Sequence, residues 1–131
     1  MTTTSVVLDC EALSRAARGD SAMKGILAEA YERRMPVLTS SMTLIEAYHD
    51  RISIPAWSWT MSRVVVESVT KEIAEEAVRL LRQTGLHGHK NAIDAALAVI
   101  AGRQRGRVAL FTSDEDDMTK LCPPTVRVVP L

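Results

Sequence analysis

The chain has 131 residues, 47% of them hydrophobic and 24% charged, enough to bury one core without disulfides or a structural metal. Basic and acidic residues cancel to a formal net charge of +0, so overall charge gives no sign of a nucleic-acid partner, and any polyanion would need a local basic patch. Aromatic residues are only 4%, so the core must rest on Leu, Val, Ile, Ala and Met.

Ser5-Val-Val-Leu-Asp9 reads as a short strand covered on both faces. Glu11 to Arg18 forms a first helix halted at Gly19, and Asp20 caps a second that runs through Met35 with Met23, Ile26, Leu27 and Ala30 at helical spacing. After Pro36, Val37-Leu38-Thr39 is a second strand, and Ser40 or Ser41 caps a helix carrying Leu44, Ile45, Ala47 and Tyr48. Ile52 to Met61, with Pro55, Trp57 and Trp59, shows no decisive pattern. Val64-Val65-Val66 is a strand by its β-branched content. Thr70 opens a helix to about Arg82 that closes before Gly85, and Leu86 to Lys90 is a loop with two histidines. Asn91 caps a very apolar helix through Gln104, ended by Gly106. Val108 to Thr112 is a strand, Asp114 to Leu121 a short helix, and Val126 to Val129 a last strand after Pro123-Pro124.

Alternating strands and helices predict an α/β fold with a mostly parallel sheet flanked by helices on both faces, as a single domain over residues 1–131 with no repeat or linker. In such sheets ligands gather outside the carboxyl ends of the strands, near the topological switch point. Cys10 and Cys122 lie far apart and match no zinc or disulfide spacing, so free buried thiols in a reducing compartment are expected. The first residues carry no secretory pattern, and the longest apolar run, Ala95 to Ala101, is far below a membrane span, so a cytoplasmic protein is expected.

Carboxylates recur where that rule directs attention. Asp9 ends the first strand, Glu46 lies on the helix after the second, Asp94 sits early in the apolar helix, and Asp114, Asp116 and Asp117 follow the fourth strand. Asp94 can join the others only if its helix starts at the same edge of the sheet. Glu46 and Asp94 are embedded in apolar sequence, where a charged carboxylate is costly unless a cation or donor compensates it. A divalent ion would do so, and oxygen-only ligands favour Mg²⁺ or Mn²⁺ over zinc. A second account competes: Thr43-x-x-Glu46, Asn91-x-x-Asp94 and Asp114-x-x-Asp117 all have capping-box spacing, and Asp9 is placed to cap the first helix. Spacing leaves both accounts open.

Val-Val-Leu-Asp9, Thr-Leu-Ile-Glu46-Ala, Ala-Ile-Asp94-Ala-Ala-Leu-Ala and Leu-Phe-Thr112-Ser-Asp114-x-Asp116 together resemble the PIN-domain family, particularly the VapC-type toxins of bacterial toxin–antitoxin pairs. The order and β/α placement of these segments carry the resemblance, which covers nearly the whole chain. It implies a PIN-like three-layer fold and a metal-dependent endoribonuclease using Mg²⁺ or Mn²⁺. By resemblance the catalytic acids are Asp9, Glu46, Asp94 and Asp114, with Asp9, Asp94, Asp114 and the auxiliary Asp116 as metal ligands. Asp117 ranks lower, where such proteins often carry a hydrophobic residue, and Thr112 or Ser113 would orient the ligands. The implied chemistry is attack of an activated water on phosphorus, leaving a 5′-phosphate and a 3′-hydroxyl. The implied partners are RNA, a cognate antitoxin and a second copy of the chain.

Arg15 and Lys90 are the basic residues placed nearest for phosphate contact, with Arg18, Arg103, Arg105 and Arg107 also available, although such charges are most often solvated surface. His87 and His89 lack a third zinc ligand and read as loop residues beside the site. Trp57 and Trp59 are read as a partner surface rather than a base-stacking platform. Two other functions remain: a non-catalytic PIN-like module that binds RNA or protein, and a phosphoryl-accepting receiver domain. The receiver would need adjacent acids at the first strand and a lysine ending a late strand, where this chain has Cys10, Thr112 and Val129.

Overall fold

The computed structural model describes residues 2–131. Its five strands are β1 (Thr3–Leu8), β2 (Val37–Ser40), β3 (Val65–Glu67), β4 (Arg107–Thr112) and β5 (Val126–Pro130), each a short β-branched or apolar run. They form one sheet in the order β3-β2-β1-β4-β5, with every neighbouring pair parallel. Parallel strands need helical crossovers, and here these cover both faces of the sheet, giving the three layers of a PIN-like fold.

Alternate residues of the central strands divide the core. Val6 and Leu8 face α1 (Cys10–Ala17) and α2 (Ser21–Glu32), where Leu13, Met23 and Leu27 are buried. Ala47 of α3 (Ser41–Ala47) and Trp59 of α4 (Ile54–Met61) join the same cluster. Val7, Val108 and Leu110 face the other way, against α6 (Gly88–Gly102), with α5 (Lys71–Thr84) and α7 (Glu115–Leu121) packed beside it. The run Ala95 to Ala101 is buried throughout, which explains its composition: small side chains let α6 sit close over the sheet. Among the described residues no helix is long and apolar enough to cross a membrane.

Two predicted boundaries move and one undecided segment resolves, each for a local reason. The second helix ends at Glu32 rather than Met35 because Arg34 adopts φ 58° and the Met35 N–H turns back to the Ala30 carbonyl at 2.8 Å, a Schellman stop. The undecided segment is helical from Ile54, with the Ser53 hydroxyl capping the Ala56 N–H and Pro55 in the first turn, where its missing N–H does no harm. The apolar helix begins at Gly88, not after Asn91. His87 is extended and its carbonyl already accepts from the Asn91 N–H at 2.8 Å, so Asn91 lies inside the first turn and caps nothing. The expected histidine loop is therefore partly helix. Cys10 and Cys122 are unpaired thiols and only partly buried.

Leu110 is fully buried at the centre of β4. Leu110→Ala should cost about 2–5 kcal/mol, read as a lower denaturant midpoint at an unchanged slope.

Candidate active site

The strand order reverses between β1 and β4, whose connections leave to opposite faces and open a crevice at their carboxyl ends. Asp9 stands in that crevice, 3% exposed. Its N–H continues the β1/β4 ladder to the Phe111 carbonyl at 3.1 Å. One carboxylate oxygen accepts from the Ala12 N–H and the other from the Ser113 N–H, each at 2.9 Å. Asp9 thus caps α1 and at the same time straps the end of β1 to the turn after β4. Two backbone donors fix the plane of the carboxylate and leave its remaining lone pairs facing the crevice.

Capping does not explain the other three acids. The side-chain cap of α3 is Ser40, whose Oγ accepts from the Thr43 N–H at 2.9 Å, so Glu46 lies a turn further on. Because α6 starts at Gly88, Asp94 is in its second turn. Asp114 occupies the N-cap position of α7, but its side chain makes no capping hydrogen bond. All three line one cavity of about 290 Å³ with Asp9, together with Cys10, His89, Lys90 and Ser113. The apolar helix does start at this edge, which is what brings Asp94 in.

No protein-family model matches the sequence, and no curated protein does. Among solved structures, a chain of VapBC2 from Rickettsia felis, crystallised bound to a DNA fragment from their promoter, superposes with a TM-score of 0.66 at 15% identity. The superposition covers 96% of this chain and 98% of that one. The two chains share a fold. At this identity the likeness speaks for the PIN-like architecture alone.

Within that architecture the remaining residues predicted from sequence divide. The Thr112 hydroxyl accepts from the Asp114 N–H at 2.9 Å, and Ser113 acts through its backbone N–H on Asp9 while its side chain is exposed. Lys90 reaches the cavity wall. Arg15 does not line it; its Nε is paired with Glu11 at 3.2 Å, beside Arg18 on the same carboxylate. Asp116 is also outside the cavity, exposed on α7, whereas Asp117 accepts from the Asn91 side chain at 2.9 Å. Consecutive helical positions point about 100° apart, so only one of these neighbours can face α6. His89 reaches the wall and His87 does not. Trp59 carries Lys24 and Arg63 over its ring, and Trp57 meets Tyr48 edge-on.

Two residues at the site escaped sequence reasoning. Cys10 read as a core thiol, yet it lines the cavity together with Glu46. Burial first, then the neighbouring Glu46 and the charges of Asp9 and Asp94, push its pKa well above the ordinary thiol range and keep it unreactive. Asn91 read as a cap. Its position three residues before Asp94 was the available signal, since both then share a helix face.

Crowding of like charge shows most at Asp94. Burial, reinforced by Asp9, Asp114, Glu46 and Asp117 in that order, raises its pKa from the ordinary 3.8 to about 7. Among the described residues no three acidic, histidine or cysteine side chains close into a ready-made metal cage. The donor set nevertheless fits a hard divalent cation: several carboxylates, all oxygen donors, face one cavity and destabilise one another's charge.

The sign of the pH effect follows. Between about pH 4 and 7 folded Asp94 keeps a proton that the unfolded chain has released, so this group lowers stability as pH rises through that window. Without divalent metal, Asp94→Asn should raise the melting temperature at pH 8 by a few degrees. The gain should vanish near pH 4, where wild-type Asp94 is itself neutral. A gain independent of pH would contradict the assignment.

Proposed function

We propose that this chain is a Mg²⁺- or Mn²⁺-dependent endoribonuclease of the VapC type, the toxin of a toxin–antitoxin pair. One observation carries the proposal: four carboxylates from four separate elements meet at the switch point of the sheet, and three of them do no capping. The sequence resemblance to PIN-domain nucleases and the fold shared with a VapBC2 chain support the substrate class and the toxin role.

Asp9, Asp94 and Asp114 would hold the cation, with Glu46 across the cavity; Asp116, exposed on α7, is the weakest member of the predicted ligand set. A bound divalent cation supplies an acidified water and neutralises charge on phosphoryl oxygens. The chain's own residues do the rest. Asp9, fixed by two backbone N–H groups, gives the site a rigid reference point. Asp94, whose pKa is raised to about 7 in the metal-free chain by burial and its acidic neighbours, is the ligand whose charge a cation would most relieve. Lys90, with its side chain 77% exposed at the rim, offers a cation to the phosphate backbone of the RNA. Hydrolysis adds water to phosphorus and breaks the P–O3′ bond, leaving a 5′-phosphate and a 3′-hydroxyl.

A homodimer and a cognate antitoxin are the proposed partners. Exposed Met42 and Val78 border an apolar groove of about 280 Å³ also lined by Val69, Leu81 and Ala96, a surface suited to a second chain. Ala92 and Ile93 line both this groove and the acidic cavity, so a subunit docked there would stand beside the site. A cytoplasmic location and action as one PIN domain over residues 1–131 belong to the same proposal. The alternative, a non-catalytic PIN-like binding module, is favoured by one fact: the acids do not form a closed cage.

Cleavage of a panel of structured and single-stranded RNAs separates the two. With Mg²⁺ or Mn²⁺ the antitoxin-free protein should give fragments bearing 5′-phosphates. EDTA should abolish them, and Asp94→Asn or Asp9→Asn should lower the rate at least about 100-fold with the fold intact. Full activity in both variants would refute the nuclease site.

A further inference from the structure

Asn91 is 2% exposed and sits in the first turn of α6, yet it neither caps that helix nor faces the acidic cavity as a lining residue. Its Nδ2 donates to Oδ2 of Asp117 on α7 at 2.9 Å. A buried amide that leaves water for one side-chain partner on another helix fixes those helices relative to each other. The same Asp117 oxygen stands 3.8 Å from Lys90 Nζ.

Position gives the bond its consequence. Asn91 and Asp94 are three residues apart on α6, and Asp114 and Asp117 are three apart at the start of α7. Each pair shares one side of its helix, so the amide–carboxylate bridge lies one turn from the two carboxylates. Asp94 is repelled by Asp9, Asp114 and Glu46 and, least of the four, by Asp117 itself. Without a tie, the least costly response would be for the first turns of α6 and α7 to part. We propose that the Asn91–Asp117 bond is the tie that holds Asp94 and Asp114 close enough to share one cation, and that Asp117 is a positioning residue rather than a ligand. This rests on the metal-site reading above.

Calorimetric Mn²⁺ titration of the whole chain, with the metal-free melting temperature of each variant, tests the proposal. Asn91→Ala and Asp117→Ala should each weaken Mn²⁺ binding about 10-fold, and the double variant should be no worse than Asp117→Ala alone, because the Asn91–Asp117 bond is lost in both and only Asp117→Ala also removes the contact with Lys90. Asp117→Asn keeps an oxygen that accepts from Asn91 and should stay within about threefold of wild type, whereas Asp94→Asn should lose far more. Asp117→Asn falling as far as Asp94→Asn would make Asp117 a ligand and overturn the proposal; so would additive losses in the double variant. If wild type binds no Mn²⁺ at millimolar concentration, the metal-site reading fails separately. Asn91→Ala and Asp117→Ala should then still lower the melting temperature non-additively, and additive shifts would dispose of the tie as well.

Discussion

Like charges brought together at one end of a buried sheet push against everything that brought them there. Asp9 meets it with two backbone hydrogen bonds, one from the helix it caps and one from the turn after β4, so its carboxylate is compensated by fixed dipoles. Asp94 has no comparable donors and answers by holding its proton until about pH 7. Glu46 keeps its carboxylate at the more exposed rim, with the Cys10 thiol as its neighbour. An arrangement this unfavourable for the empty protein is what a divalent cation would relieve.

The rest of the structure can be read as what tolerates that strain. The fully buried run of α6 spreads over Val7, Val108 and Leu110 and anchors the helix that carries Asp94. On the opposite face, the Ser14 hydroxyl donates to the Ala47 carbonyl at 2.7 Å, locking α1 against α3 beside Cys10 and Glu46. The Thr39 hydroxyl, fully buried, donates to the Leu8 carbonyl at 2.9 Å and ties β2 to the end of β1. Apolar burial therefore supplies the stability, while a few specific polar bonds at the carboxyl edge set the geometry of the acids.

The central strands were legible in the sequence because a parallel strand covered on both faces must be short and apolar, as Ser5 to Leu8 and Val108 to Leu110 are, while the exposed edge strand β3 showed in its β-branched content. The acidic residues at the edge were legible too, since Asp9 and Asp114 closely follow strands and Glu46 lies on the helix after β2. The start of α6 was hidden, because Gly88 is a poor helix former and His87 makes no side-chain cap, while Asn91 mimics a cap four residues too late. That one displacement made Asp94 look like a capping-box acid. Asp116 and Asp117 were beyond pattern reasoning for a related reason: in a short helix, which of two adjacent acids faces a neighbour depends on a rotation that local sequence does not specify. Likewise the Asn91–Asp117 bond joins residues 26 positions apart and leaves no local trace.

The central claim is that these carboxylates form one cation site at the β1/β4 switch point. Anomalous scattering from crystals grown with Mn²⁺ tests it most directly, because it locates the ion irrespective of any activity. The account predicts a peak in the cavity bounded by Asp9, Asp94 and Asp114, with carboxylate oxygens at roughly 2.0–2.2 Å, near the range for small hard divalent cations. No peak there at millimolar Mn²⁺, or peaks confined to other surfaces of the chain, would contradict it.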